Sequence, residues 1–343
     1  MSNQQAPLQR KKFNRRTALA IGAISIAAGV GGYIGFSPKS RTTEFKQAQP
    51  MMGTIVNLTV CGADEQRCRA AISACLNRME QLSQMMSTYV PDSPISQLNR
   101  AGSLTNAPPE LIEVFKLSHK LSELTEGAFD PTVKPLLGLY RTVKKTGTIP
   151  EVEEIQEILK LIDYSKIVIE NETTIRYAIP GIQVTLDGIA KGYIVDQGVR
   201  VLMDKGFHNA YVEAGGDLMT IGKKPNGKPW KIGIRNPRSD NLRKMDTIDL
   251  SDRAIATSGD YLQYFTDDKR AHHIINPKTG FSPINTASSS IIAPTVAMAD
   301  GLATATMVLG PQAATELVES LPDCEGYFFD KELNKYSTTG FFS

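Results

Sequence analysis

Hydrophobic residues recur along positions 41–343 with two alternating periods. Residues 54–60 alternate, with Val56, Leu58 and Val60 on one face, which predicts a strand. Helical spacing follows: Cys68, Ile72, Cys75, Met79, Leu82 and Met86 make one stripe behind Asp64, a capping residue, so a helix is expected over 64–86. Pro108-Pro109 opens a second helix reaching 124, with Gly127 placed to close it. Residues 166–169 and 174–179 read as paired strands around an Asn171-Glu172 turn, 183–186 as a further strand, and 190–205 as a helix closed by Gly206. Strands are then expected at 210–213, 218–221, 230–234, 254–257, 261–265 and 289–292. Helices at 296–309 and 312–321 precede a last short strand at 327–329, and the polar stretch 144–154 predicts a surface loop. Strands repeatedly follow strands with no helix between them. That order predicts an α+β fold with a mixed, largely antiparallel sheet and flanking helices, not a doubly wound one.

Composition narrows the class. The 343 residues are 41% hydrophobic, enough for one large or two small domains with a true core, and 22% charged, as in an average soluble chain. The formal charge of +2 hides an asymmetry: residues 1–40 hold six basic residues and no acidic one. The remaining 32 basic and 36 acidic residues leave a body of charge −4, which has no general attraction for nucleic acid. Cys61, Cys68, Cys75 and Cys324 form no C-x-x-C pair, which disfavours a zinc site. Cys68 and Cys75 belong to the core stripe of their helix and read as buried thiols, while an oxidised pair involving Cys61 stays open.

The basic excess is an address. Arg15-Arg16 precedes a weakly hydrophobic run, 18–36, containing five glycines and no charge. Basic residues ahead of such a run make a bacterial signal peptide, and the arginine pair points to the twin-arginine route and hence to the periplasm. The run is about long enough to span a bilayer, and no clean A-x-A site follows, so cleavage or retention as an inner-membrane anchor both stay open. The organisation expected is a twin-arginine signal peptide or anchor at 1–40 and a folded body at 41–343.

Four stretches carry residue types suited to chemistry. In Thr185-Leu186-Asp187-Gly188-Ile189-Ala190-Lys191 a predicted strand ends and a helix begins. A helix start offers N–H groups and a positive dipole end to a phosphate, and Lys191 adds a charge, although an ordinary helix start explains the pattern as well. Glu213-Ala214-Gly215-Gly216-Asp217 is a turn between two strands or a place where something packs on bare backbone. His272 and His273 point to opposite sides of an extended chain and cannot easily share one metal; one is a candidate acid or base, or both are structural. Asp300 and Thr304 lie four apart on one helix face, a hard-oxygen pair suited to Mg²⁺ or simply a helix-start carboxylate.

Taken in order, these stretches resemble the ApbE family, the FAD:protein FMN transferases. Further matching segments are Met52-Gly53-Thr54, Met86-Ser87-Thr88-Tyr89, Ser96-Gln97-Leu98-Asn99, Gly127-Ala128-Phe129-Asp130-Pro131, Ala256-Thr257-Ser258-Gly259-Asp260-Tyr261 and the stretch from His273 to Gly280. The resemblance implies an ApbE-like (T-fold-like) domain that binds FAD as substrate and holds Mg²⁺. It implies transfer of FMN through a phosphoester to a Ser or Thr of an acceptor flavoprotein, with release of AMP. It places Met52, Tyr89, Ala128, Phe129, Asp130, Thr185, Asp187, Lys191 and Ile274 along FAD, and Gly188, Asp300 and Thr304 on Mg²⁺. His273 and Lys191 are its catalytic candidates. Many relatives carry Asp where Thr185 stands, so the flavin contact there is lost or passes to Asp187; Asn276 replaces a common Asp and Lys134 a common Gly. Thr185-Leu186-Asp187-Gly188 together with the arginine pair looks like the NosX branch, which implies a NosR-type membrane flavoprotein as acceptor and a link to nitrous-oxide respiration. Two other activities stay open: an FAD pyrophosphatase yielding FMN and AMP, and a non-enzymatic periplasmic FAD carrier.

Overall fold

The structure is a computed structural model that describes residues 42–239 and 245–343, with backbone alone at 144–146. The arginine pair and the apolar run after it lie outside the described residues, and among the described ones no helix is long and apolar enough to cross a membrane.

An eight-stranded sheet organises the body. In chain order its strands are β1 (Thr43–Met51), β2 (Thr54–Gly62), β6 (Ala210–Ala214), β7 (Asp217–Ile221), β10 (Ala254–Gly259), β11 (Thr286–Ala293), β12 (Glu325–Asp330) and β13 (Lys335–Ser337), and these are neighbours in that same order. A small sheet joins β3 (Ser103–Leu104), β5 (Thr174–Tyr177) and β4 (Ile167–Glu170), and a ribbon joins β8 (Trp230–Ile234) to β9 (Asp246–Leu250). Every strand pairing among the described residues is antiparallel. The helices are α1 (Glu65–Met86), α2 (Pro94–Ala101), α3 (Pro109–Leu124), α4 (Lys134–Thr146), α5 (Val152–Leu159), α6 (Ala190–Asp204), α7 (Val296–Leu309) and α8 (Pro311–Glu319).

Period-two alternation divides the strand side chains between two cores. Ala254, Ala256, Ile291, Ala293 and Phe328 face the helices, where they meet Leu82 of α1, Val195 of α6 and Leu302 of α7. Ile255, Ile292, Tyr327 and Phe329 face the other way, onto Trp230, Ile232 and Ile248 of the β8–β9 ribbon. Covered on both sides, β11 is buried at all eight positions. The four cysteines are buried free thiols. Burial pushes the Cys61 and Cys75 thiols up to about 12.

Three expectations fail for local reasons. Residues 183–186 are extended but belong to no sheet: the Asn99 side chain stands in for a neighbouring strand, accepting from Val184 N–H at 2.7 Å and donating to Val184 C=O at 2.9 Å. Residues 261–265 form a loop with a single bridge, Tyr264 to His272. The polar stretch 144–154 is not one loop: α4 runs to Thr146, and after Gly147 the Glu151–Glu154 capping box starts α5, so its acidic residues serve as helix signals. Strand β1 escapes the pattern altogether because it is an edge strand with only two half-buried positions and one buried one.

Candidate functional site

The candidate residues gather around the start of α6, the middle of α7 and the turns that join β1 to β2 and β6 to β7. Helix α6 crosses α7 at Gly192. A Cβ added there would meet the Val296 carbonyl oxygen and would lie 2.6 Å from its carbon and 2.8 Å from Ala297 Cα, so only glycine fits without moving backbone. The close crossing lets Gly192 N–H donate to Asp300 Oδ2 at 3.0 Å. Asp196, one turn further along α6, accepts from Val296 N–H and Ala297 N–H at 2.9 Å each and so caps α7. Burial pushes the Asp196 carboxyl up to about 6 despite these donors.

The three residues expected to hold a metal lie close together. Gly188 lies against Thr304, whose Oγ1 is 3.2 Å from the point a Gly188 Cβ would occupy, and Phe129 closes the other side at 3.3 Å. Asp300 is one turn before Thr304 and buried, with no hydrogen bond to Oδ1 among the described residues. Burial pushes its carboxyl up and the Asp187 charge adds to this, while Lys191 and Gly192 N–H pull the other way. A carboxylate oxygen, a hydroxyl and a backbone carbonyl are hard donors that fit Mg²⁺. Among the described residues no three His, Cys, Asp or Glu side chains cluster.

The helix start differs from the expected phosphate cradle. Ile189 N–H and Ala190 N–H both bond Leu186 C=O, and Gly192 N–H is spent on Asp300. Of the first turn, only Lys191 N–H lacks a partner among the described residues, so an anion here is met chiefly by the Lys191 side chain. That ammonium is paired with Asp217, a buried carboxylate from the glycine turn between β6 and β7. The sequence marks that turn but does not say that its aspartate serves the lysine of another motif.

The two histidines separate cleanly. His272 is fully buried; its Nε2 faces Pro283 C=O at 3.1 Å and must donate, while Nδ1 accepts from Ile274 N–H at 3.3 Å. Burial pushes it down to about 4, so it is neutral and structural. His273 has the opposite tautomer: Nδ1 faces Gln263 C=O at 2.9 Å and donates, leaving the Nε2 lone pair as a base. Burial and the Lys191 charge hold its pKa below the ordinary histidine value, and the charge of Asp187 also reaches it. The loop at 261–265, which fails as a strand, thus supplies the carbonyl that sets the His273 tautomer. Ile274 is buried, and its N–H is committed to His272.

The remaining expected residues line the same region in different ways. Met52 sits at φ 52° in the β1–β2 turn, beside the β6–β7 turn, because β2 and β6 are neighbours. Tyr89 is exposed; Arg141 of α4 lies over its ring at 5.2 Å and donates to its hydroxyl at 2.6 Å, and the Asp187 charge reaches it. Ala128 and Phe129 are buried. Asp130 accepts from Thr132 N–H, Thr132 Oγ1 and Tyr164 N–H at 2.8, 2.6 and 3.1 Å, and so holds its own turn. Thr185 is buried and its Oγ1 accepts from Asp187 N–H at 3.2 Å, while Asp187 itself is exposed. A separate hollow of about 240 Å³, walled by Phe115, His119, Pro131, Tyr164 and Ile167, contains none of the expected site residues.

Arg238, Asp260 and Lys331 were not expected. Asp260 is fully buried, bound by both Arg238 guanidinium nitrogens at 2.7 and 2.6 Å and by Lys331 Nζ at 2.5 Å. Burial opposes its ionisation, yet these hydrogen bonds outweigh it and hold the carboxyl below the usual range. The only sequence signal was Asp260 itself, next to Gly259; its partners come from distant segments.

An antiparallel α+β body with a lysine, a histidine and hard-oxygen side chains gathered around a helix start has the groups that a phosphoryl-transfer protein uses. Comparison with known proteins makes that class particular. The ApbE family model matches residues 52–328, and the chain belongs to this family. It is 36% identical to the FAD:protein FMN transferase of Haemophilus influenzae, over 70% of this chain and 73% of that one. It is 35% identical to that of Vibrio cholerae, over 79% of this chain and 83% of that one. Among solved structures, the ApbE protein of Thermotoga maritima superposes with a TM-score of 0.78 at 31% identity, covering 87% of this chain and 98% of that one. The flavin transferase ApbE of V. cholerae gives 0.74 at 30%, covering 88% and 98%.

Proposed function

We propose that this chain transfers FMN from FAD to a serine or threonine hydroxyl of an acceptor flavoprotein, releasing AMP. The observation that carries this is the convergence of Gly188, Asp300, Thr304, Lys191 and His273 in one cleft of an ApbE-family body. Gly188 C=O, Asp300 Oδ1 and Thr304 Oγ1 would hold Mg²⁺, which when bound supplies Lewis-acid charge to the diphosphate.

The chain's own groups do the rest. FAD enters along Met52, Tyr89, Phe129 and Asp187, with Tyr89 held against Arg141 on one face and open on the other. His273 Nε2 accepts the proton of the acceptor hydroxyl as its oxygen bonds the FMN phosphorus. The bond from that phosphorus to the bridging oxygen breaks, and AMP leaves in line. Lys191 stabilises the negative charge that develops on the departing phosphate. Buried Phe129 beside Gly188 excludes water from that wall.

The test combines purified residues 41–343, FAD, Mg²⁺ and the soluble domain of a NosR-type flavoprotein. Flavin fluorescence should follow the acceptor through a denaturing gel, with AMP formed in equal amount. FMN and AMP appearing equally fast without acceptor would establish a pyrophosphatase instead. An Asp300→Ala variant that folds and still modifies the acceptor at the normal rate would leave only a carrier role. Export by the twin-arginine route places the reaction in the periplasm; replacing Arg15 and Arg16 by lysine should strand the protein in the cytoplasm, as fractionation would show.

A further inference from the structure

Lys191 stands where a cation is poorly placed. It is the second residue of α6, at the end of a helix that already presents partial positive charge. Its charge is felt at Asp300 and at His273, so it shares their space. Asp300 is the carboxylate with an uncommitted oxygen, yet the lysine is paired with Asp217.

The fold brings Asp217 there deliberately. Ala214 and Asp217 form the last pair of the β6–β7 hairpin, and Gly215 and Gly216 close the turn at φ 62° and 103°, values that glycine adopts without strain. The turn is braced: Gly216 N–H donates to Glu213 at 2.7 Å, and a Gly215 Cβ would lie 2.8 Å from Thr54 Oγ1 of the neighbouring turn. The Asp217 side chain is 1% exposed while Lys191 keeps 32%, so the aspartate is the fixed member and the lysine the one being held.

We propose that Asp217 is a positioning residue that holds the Lys191 ammonium off Asp300, keeping that carboxylate open to a divalent cation while the ammonium stays beside it for a phosphate. This rests on the assignment of Gly188, Asp300 and Thr304 to Mg²⁺. Released from Asp217, the Lys191 ammonium would be free to turn toward Asp300, which already feels its charge, and an ammonium and a metal ion would then compete for one oxygen. A neighbouring opposite charge changes a carboxylate's proton affinity by about 10-fold or more. The same competition should weaken Mg²⁺ by about 10-fold.

The experiment titrates Mg²⁺ calorimetrically into FAD-saturated protein without acceptor. It compares wild type, Asp217→Asn, Lys191→Met/Asp217→Asn and Asp217→Glu, with thermal melts in parallel. Asp217→Asn should weaken Mg²⁺ about 10-fold, and removing the lysine as well should restore it to within about 2-fold while FMN transfer stays low. Asp217→Glu, which keeps the charge but pushes the ammonium inward, should be intermediate. Should Asp217→Asn fail to fold, the Glu variant and the double variant decide the matter alone. Unchanged Mg²⁺ affinity in the folded single variants, or a double variant as weak as the single, overturns the proposal. Absence of Mg²⁺ binding to wild type refutes the metal assignment instead.

Discussion

Gly192→Ala sets two opposing effects against each other in one methyl group. Alanine is the better helix former, worth about 0.8–1.0 kcal/mol over glycine in a helix interior, and that alone would stabilise α6. The new Cβ, however, would meet the Val296 carbonyl and sit 2.8 Å from Ala297 Cα, where ordinary contact begins at 3.4 Å. These are backbone atoms of α7 held by the Asp196 cap, so the helices must part by a sizeable fraction of an ångström. Overpacking of this kind costs about 1–3 kcal/mol, leaving a net loss of up to about 2 kcal/mol once propensity is subtracted. For a domain of about 300 residues the melting temperature should fall by up to about 3 °C. Gly198, on the same helix, is the control: its Cβ would meet Met79 Sδ at 2.9 Å and Met79 Cγ and Cys75 Sγ at 3.0 Å, side-chain atoms and not backbone. Gly198→Ala should therefore cost less than Gly192→Ala. Gly192→Ala should also lose transfer activity beyond its loss of stability, since the same crossing seats Gly192 N–H on Asp300. Differential scanning calorimetry of both variants decides it, and a Gly192→Ala protein that melts higher than wild type refutes the packing argument.

Other consequences are as direct. His273 is held neutral, with its pKa below 6.5, so kcat/KM should stay flat from neutral pH and fall only on the acid side of 6.5; a pH–rate profile would show it, and His273→Asn should flatten that limb. His272 is depressed from 6.5 to about 4, so below 6.5 the unfolded chain binds the extra proton and stability is lost as pH falls through that window. At most about 3 kcal/mol is involved, and the stability gap between wild type and His272→Gln in urea titrations should narrow from pH 6.5 to 4. Asp260→Asn leaves Arg238 and Lys331 facing each other without their carboxylate. Both cations keep some contact with water, at 26% and 20% exposure, so the cost should sit near the lower end of that for breaking a buried pair, about 3 kcal/mol by chemical denaturation. Arg141→Ala should raise the KM for FAD with little change in kcat, because it steadies the Tyr89 ring and touches no reacting group.

Local signals succeeded where one residue type suffices. Asp64 does cap α1, accepting from Arg67 N–H at 3.0 Å, and the Cys68–Met86 stripe is buried as its spacing requires. Asn171 and Glu172 adopt φ 50° and 59°, the turn their neighbours demand. Signals failed where a side chain replaced a backbone partner. Residues 183–186 have the apolar alternation of a strand, but Asn99 takes the ladder's place, and no property of 183–186 announces an amide eighty residues away. The edge strands β1 and β13 carry too little apolar pattern to be seen, because one side of each meets water.

The sequence by itself determined most of the helices and strands, the family, and which residue types stand ready for phosphoryl chemistry. These are properties of short windows, set by spacing and capping. Only the tertiary structure decided how the candidates are used. It turned His272 inward, set the His273 Nδ1 on the Gln263 carbonyl, bonded Asp130 within its own turn, and closed most of the helix-start N–H groups. It also joined Lys191 to Asp217 across 26 positions of chain. Such roles depend on which partner reaches a buried polar group first. Because an unpaired buried charge or donor is costly, long-range pairing in the folded core settles them, and no local pattern contains it.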